Sequence, residues 1–482
     1  MARYVEDRRD CTLFVSGTLD SLLPADSMAR TLWGALIGLD FGGFELRYCN
    51  EQRGRPAIDP RRLVAVWILS LVRGNTSSVG LARLCAEDLE FRWLMGGASV
   101  KKTALSDFRK NYVTELSDLS TQVLGVLARM GLLPAERICV DGTVIRAAAS
   151  CSANCTHKQL KRRIVGLRKR IRTAYEEPES SATEVQALAQ RAERLEDALA
   201  EMTQLGLTDS KDRMTLTEPD APKRKLKTHN FAPAHNVQVT TDLDSSAVIE
   251  VDVIDQGNDP GQLAPQFEKA RDALERIGQK VAEEAQQPGP IRAGAADSAY
   301  HDTRQLKALE EQGVRTFVPN KRANRRPPGV SDAFLASEFT YIPDNDTMIC
   351  PMGCPMKYRK LNPNGTAAVY EAHAKTCLNC PHKHECCPTA KGGRCVSRPR
   401  FPELLDTIRE RTESDEGMRM RKARSVSGEG AISRLVEFLH WRRCRTWGRL
   451  GARAEARWRQ IAHNLMLATG LWRPLVLRTP LA

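Results

Sequence analysis

The chain has 482 residues, 41% of them hydrophobic, and its 72 Lys and Arg against 59 Asp and Glu give a formal charge of +13. That length and apolar fraction exclude a disordered chain and leave room for two to four domains, while no run of eighteen apolar residues is available to span a membrane. The N-terminal MARYVEDRRD has charges of both signs and no apolar core, so a cytoplasmic protein is expected, and the basic excess points to a polyanion such as nucleic acid.

Residues 1–130 read as helical. Asp59-Pro60 sets an N-cap before a proline at the first helical position. Leu63, Val66, Ile68, Leu69 and Leu71 then form a broad apolar face that Gly74-Asn75 ends. A second helix is expected from Ser77 or Ser78 to Gly96-Gly97, and the pattern continues through TALSDFRKNYVTELSDLSTQVLGVLARMGLL. Arg61, Arg62, Arg73, Arg83, Lys101, Lys102, Arg109 and Lys110 fit a DNA-binding face or a solvated one.

Next comes ICVDGTVIRAAAS. Ile138, Cys139 and Val140 read as a buried strand that ends on Asp141-Gly142. A carboxylate there is costly unless it caps the turn, pairs with a base or holds a metal. Residues 151–227 then read as a helical hairpin inserted into the β region. Leu160, Ile164, Leu167 and Ile171 recur at helical spacing among Lys and Arg, EEPESS breaks the pattern, and Val185, Leu188, Ala192, Leu195 and Leu199 restore it. The basic arm suits DNA or a coiled-coil partner.

HNVQVTTDLDSSAVIEVDVID alternates as two strands around a turn at 243–246, and GQLAPQFEKARDALERIG follows as a helix. IRAGAADSAYHDTRQLKALEEQG opens as a short strand, reaches Asp297 and becomes a helix from about Asp302; VRTFVPNKR is a further strand. Residues 336–400 are cysteine-rich, and helices are expected from about Glu429 to Ala468.

Asp297 repeats the situation of Asp141: an acid ending a stretch of small and apolar residues where the chain turns into a helix. Functional groups in alternating α/β regions gather where strands end. Glu429, opening EGAISRLVEFLHWRRCRTWGRL, is the best third acid, with Glu437 as the fallback. Three carboxylates suit a pair of Mg²⁺ or Mn²⁺ ions that activate an attacking oxygen and stabilise a leaving one in phosphodiester cleavage. Cys350 and Cys354, with Cys377 and Cys380, form two close pairs some two dozen residues apart, a zinc-ribbon spacing. Cys386, Cys395, His373, His382 and His384 stand near as alternative Zn²⁺ ligands.

Several blocks resemble bacterial insertion-sequence transposases of the DDE type. GRPAIDPRRLVAVWILSLVRGNTSSVGLARLCAEDLEFRWLMGG and TALSDFRKNY are similar to that family's N-terminal helical domain. VDGTVIRAAAS resembles the strand of its first catalytic aspartate, TEPDAPKRK and HNVQVTTD the run through the next strands, and AGAADSAYHDTRQLKALEEQG the second aspartate block. GEGAISRLVEFLHWRRCRTWGRLGARAEARWRQIAHNLMLA resembles the glutamate helix and its tail. Against the family pattern, His235 stands where a tyrosine is usual and Ala299-Tyr300 where Gly-Tyr is usual.

The resemblance implies an α/β fold with an RNase H-like mixed sheet flanked by helices. It divides the chain into an N-terminal helical DNA-binding domain (1–130), the first part of a catalytic core (131–335, with 151–227 inserted), a cysteine-rich zinc-binding insertion (336–400) and the end of the core (401–482). It implies Asp141, Asp297 and Glu429 as the catalytic, metal-holding triad. It also implies DNA contacts from Arg434, Arg442, Arg443, Arg445 and Arg449, with Trp441 and Trp447 as stacking platforms. The expected partners are double-stranded DNA, as element ends and target, and a second copy of the chain, since two ends must be held together. The expected reaction is cleavage at the element ends followed by transfer of the 3′-hydroxyls to target DNA. Two alternatives are a zinc-containing DNA-binding protein whose acids are inert and a nuclease of the same fold without strand transfer.

Overall fold

The computed structural model describes residues 17–46, 57–151, 154–176, 182–210, 212–226, 230–256, 259–280, 287–320, 328–363 and 365–471. Among them no helix is long and apolar enough to cross a membrane.

Helix α1 (Pro60–Val72) begins as its sequence demands: the Asp59 carboxylate accepts from the Arg61 N–H at 2.7 Å, with proline next. Every residue from Leu63 to Leu71 is buried. The single helix expected over 77–97 is two, α2 (Ser78–Glu87) and α3 (Leu89–Leu94). Asp88 leaves helical geometry between them and caps the second, its carboxylate accepting from the Glu90 N–H at 2.9 Å. Helices α4 (Lys102–Asn111) and α5 (Val113–Arg129) follow. Arg109 belongs to the core and not to a basic face: its guanidinium donates to the Thr76 carbonyl at 2.8 Å and lies 4.9 Å from the Trp67 ring centre.

The main sheet has six strands: a short one, Lys223–Lys225, and β1 (Arg137–Arg146), β2 (Phe231–Asp242), β3 (Val248–Ile254), β4 (Ala293–Ala296) and β5 (Arg315–Phe317). Along it the order is β3-β2-β1-β4-β5, with Lys223–Lys225 also on β2; β2 is antiparallel to β1, to β3 and to Lys223–Lys225, while β1, β4 and β5 are mutually parallel. The turn between β2 and β3 falls where the sequence puts it. Asp242 organises it, accepting from the N–H groups of Asp244 and Ser245 at 3.1 and 2.7 Å. Val237 pairs with Val253 and Val239 with Val251, one apolar face as their alternation requires.

Helices α6 (His157–Glu176) and α7 (Ala182–Gln204) form the hairpin between β1 and β2. Leu160, Ile164 and Leu167 are buried, while the Lys and Arg residues of α6 are exposed. Helices α8 (Leu263–Lys280) and α9 (Thr303–Glu311) make the crossovers to the parallel strands. Gly294 of β4 admits α8 closely: a Cβ there would lie 2.1 Å from the Phe267 ring.

The cysteine-rich segment is a separate antiparallel meander of β6 (Thr340–Ile342), β7 (Thr347–Ile349), β8 (Pro355–Leu361), β9 (Ala367–Ala372) and β10 (Cys395–Pro399). It has a small core of Phe339, Met348, Met356, Tyr370 and Val396. After α10 (Pro402–Glu413), the chain from Asp415 to Phe438 is one helical rod with two π-helical stretches, Arg424–Glu429 and Arg434–Phe438. Glu429 therefore lies inside a helix and does not open one. The rod ends at Leu439–His440, where His440 has φ of 52°, and α11 (Gly448–Ala468) runs to the end of the core. Trp458 of α11 packs on Trp67 and Phe108, ring centres 6.3 and 6.0 Å away. The apolar cluster they share reaches Ile145 and Val239, so the N-terminal helices, the sheet and the C-terminal helix have one core.

Candidate active site

Asp141 is in the middle of β1, not at its end. The strand continues because Thr143, Val144 and Ile145 are β-branched and pair with Val237, Asn236 and His235 of β2. Its other neighbour, β4, does stop there. In the parallel register Val140 pairs with Ala296, so Asp297 is the next residue along β4, beside Asp141. Cys139, Asp141, Ala295 and Asp297 thus belong to one face by strand alternation. Asp297 caps the turn that follows, its carboxylate accepting from the Ala299 N–H at 2.7 Å.

The helical rod crosses this same face. A Cβ on Gly428 would lie 2.6 Å from the Cys139 sulfur, so glycine lets the rod settle directly on β1. Ser427 fastens it by donating to the Leu243 carbonyl at 2.8 Å. Glu429 follows, and Arg424 precedes it by five residues. The Arg424 guanidinium donates from Nη1 to Asp141 Oδ2 at 3.3 Å and from Nη2 to Glu429 Oε1 at 2.9 Å. In an α-helix residues five apart point about 140° apart; the π-helical stretch brings them to one side. Burial pushes the Asp141 carboxyl up to about 6, Arg424 opposes that rise, and Asp297 and Glu429 add to it. Glu437 is apart from this group and pairs with Arg442.

The opposite face of β1 at this level is closed by a polar network. Gln238 Nε2 donates to Asn236 Oδ1 at 3.1 Å and to Asp259 Oδ1 at 2.9 Å, and the Tyr300 hydroxyl donates to Gln238. A Cβ on Gly142 would lie 2.8 Å from Asp259 and 3.0 Å from the Tyr300 oxygen, which is why glycine follows the aspartate.

The TEPD stretch serves as a bracket. Glu218 accepts from the N–H groups of Ala149 at 2.8 Å and Gly448 at 3.0 Å and stands 3.0 Å from His235 Nε2. Asp220 accepts from the Arg449 N–H at the start of α11. The loop thereby ties β1, β2 and α11 together with acids at a helix N-terminus.

Two residues expected to meet DNA are buried. Arg434 is 8% exposed and Trp441 is fully buried, with Arg459 5.2 Å from the Trp441 ring centre. The end of the rod at Leu439–His440 folds Trp441 inward, so neither it nor Arg434 presents a surface to a strand. Arg442, Arg443 and Arg445 are exposed and Arg449 is half-buried. Arg443 also donates to the Ala147 carbonyl at 3.2 Å, and Arg445 to the Thr76 hydroxyl at 3.2 Å. Trp447 is 57% exposed.

In the meander, Cys350, Cys377 and Cys380 all raise the Cys354 thiol, though burial is the larger cause. The four line one narrow pocket with Cys386 and Cys387. The Cys354 N–H donates to the Cys350 sulfur at 3.3 Å and the Arg394 N–H to the Cys377 sulfur at 3.3 Å. Among the described residues no group of three or more His, Cys, Asp or Glu side chains stands in metal-holding geometry. By donor chemistry the three acids fit a hard divalent cation and the four thiols fit zinc.

Sequence reasoning did not single out Arg424. The signal available was a basic residue flanked by small residues, RSVSGEG, just before the glutamate.

Two family models match the chain: a transposase DDE domain over residues 349–467 and a transposase domain (DUF772) over residues 18–111. The first match contains Glu429; Asp141 and Asp297 lie outside both. No curated protein matches significantly. A cryo-EM structure of the piggyBac transposase synaptic complex with hairpin DNA is 11% identical, covering 93% of this chain and 73% of that one with a TM-score of 0.30, a likeness too slight to carry an argument.

Proposed function

We propose that this chain is a DDE transposase, a DNA-cleaving enzyme that does its chemistry at Asp141, Asp297 and Glu429, cutting the phosphodiester bonds at the ends of an insertion sequence and passing the 3′-hydroxyls to target DNA. The observation that carries the proposal is the register of β1 and β4, which sets Asp297 beside Asp141, together with the rod that lays Glu429 over the same face. The strand order β3-β2-β1-β4-β5, antiparallel on one side of β1 and parallel on the other, supports an RNase H-like sheet.

Mg²⁺ or Mn²⁺ held by the three carboxylates would supply the activated oxygen nucleophile and stabilise the leaving oxygen. The protein's own part is to fix the carboxylates. Asp141 is on β1 and Asp297 directly follows its paired strand β4, Glu429 is on a helix seated by Gly428, and the network at Gly142 packs the other face of β1. The exposed Arg442, Arg443 and Arg445 and the basic outer face of α6 would neutralise phosphates along the duplex. The cysteine unit would hold Zn²⁺ in a structural role.

The test is cleavage of a labelled duplex carrying the element's end by the full chain in Mg²⁺ or Mn²⁺, with a strand-transfer arm. Asp141→Asn and Asp297→Asn should each abolish cutting while leaving DNA binding intact. Cutting that survives both changes would refute the assignment. Cutting without joining would make the protein a nuclease, and binding without cutting under any divalent ion a DNA-binding factor.

A further inference from the structure

Arg424 is a cation set at the carboxylate edge. It is fixed by two charge-assisted hydrogen bonds, to Asp141 at 3.3 Å and to Glu429 at 2.9 Å, and its side chain is 16% exposed. The planar fork of a guanidinium is suited to bridging two carboxylates in this way. The bridge spans the two elements the site depends on, β1 and the helical rod, and the π-helical stretch gives Arg424 and Glu429 a common side. Glu429 is otherwise loosely held: its side chain is 53% exposed, and its other bond is a 3.4 Å contact from the Ser425 hydroxyl.

Arg424 occupies one oxygen of each of these two carboxylates. A guanidinium and a divalent ion on the same pair repel each other strongly where water is partly excluded.

We propose that Arg424 is a resident counter-cation that holds Asp141 and Glu429 in register in the resting protein and must swing aside for a divalent metal to enter, so that arginine and metal compete for the same two carboxylates. This rests on the reading of the triad as the metal site. It gives the side chain two duties. Without metal it offsets the cost of a half-buried aspartate. With metal it becomes a free guanidinium at the mouth of the site, where a DNA phosphate is its natural new partner.

The test is Mn²⁺ binding to the full chain without DNA, followed by loss of the free-ion electron paramagnetic resonance signal. Wild type, Arg424→Gln, Arg424→Lys and Asp141→Asn are compared, each checked for native circular dichroism. Arg424→Gln should bind Mn²⁺ at least about tenfold more tightly than wild type, because no cation has to be displaced. Arg424→Lys, which keeps a charge but loses the fork, should fall between the two, and it carries the comparison if the glutamine variant fails to fold. Asp141→Asn should lose the site. Affinity unchanged or weakened in both Arg424 variants, with Asp141→Asn still defective, overturns the competition and leaves the triad standing. Mn²⁺ binding indifferent to Asp141→Asn overturns the triad, and the competition with it.

Discussion

The carboxylate edge and the cysteine meander both present side chains of metal-ligand type, but they are assembled in opposite ways. Asp141, Asp297 and Glu429 come from segments more than a hundred residues apart, and a parallel register and a seated helix bring them to one face of the sheet. The cysteines are close in sequence, in the loops, short helices and last strand of a five-stranded unit with its own small core. Local clustering needs only short loops. Convergence from distant segments needs the whole fold, so it is the stronger sign that the placement serves a purpose. The edge is also already cross-linked by Arg424, whereas the thiols are held mostly by backbone donors.

Breaking each region separately should give different kinds of failure. Asp141→Asn or Asp297→Asn should lower DNA cleavage by about a thousandfold or more without lowering the unfolding transition, as expected when a group acts in the chemistry. Cys377→Ser should act the other way. If the thiols hold zinc, it should release the metal and destabilise the meander by a few kcal/mol, read as early proteolysis within 340–399 while the sheet stays protected. A Cys377→Ser protein with unchanged metal content and protease resistance would remove zinc from the account of that unit.

Much of the edge was legible beforehand because a charge after an apolar β-prone run is conspicuous. Asp297 met that expectation closely: it follows β4 and caps the next turn. Asp141 met it only in part. Gly142 looks like a strand terminator, but its job is to make room for Asp259 and Tyr300 on the other face, and β1 runs on to Arg146. The start of the glutamate helix was misread because RSVSGEG is rich in poor helix formers; packing on the sheet overrides that local preference. The same rod hid Arg424, because five residues is not a neighbour spacing in an α-helix. It also hid the burial of Arg434 and Trp441, since a helix so rich in arginine shows no clean apolar stripe.

The seat of the rod offers a sharper probe. Gly428→Val would drive side-chain atoms into the Cys139 sulfur, which an added Cβ would already approach to 2.6 Å. The expected cost is about 1–3 kcal/mol, with cleavage reduced because Glu429 is lifted from the face. Cys139→Ala removes the obstructing atom, so the double variant should recover part of both losses. A double variant no better than the sum of the two singles would mean that the rod is not seated by this contact.

The smallest expected effect distinguishes the frameworks of the two regions by pH. His463 on α11 is fully buried and donates from Nε2 to the Ser246 carbonyl, 2.9 Å away, in the β2–β3 turn. Burial pulls its pKa down from 6.5 to about 3, with Arg434 pulling the same way and the bond to Ser246 opposing them. Between those values the unfolded chain binds a proton that the folded chain refuses. Stability from this residue is therefore complete above pH 6.5 and is lost as pH falls toward 3, by about 1.4 kcal/mol per unit. Burial pushes Asp141 and Asp242 the other way, up to about 6 from 3.8. The folded chain then holds their protons more readily, so they destabilise at neutral pH and recover as pH falls through that window. The opposing signs flatten the wild-type profile, and only a difference measurement isolates the histidine. Against His463→Gln, which can keep a donor to Ser246, wild type should lose about 2 kcal/mol of relative stability between pH 7 and pH 5. Denaturant melts at the two pH values measure it. The loss should fall on the transition of the sheet and leave that of the meander in place, because His463 bonds to a turn of the sheet; a pH-independent difference would mean that the imidazole takes up its proton as readily in the folded core as in the unfolded chain.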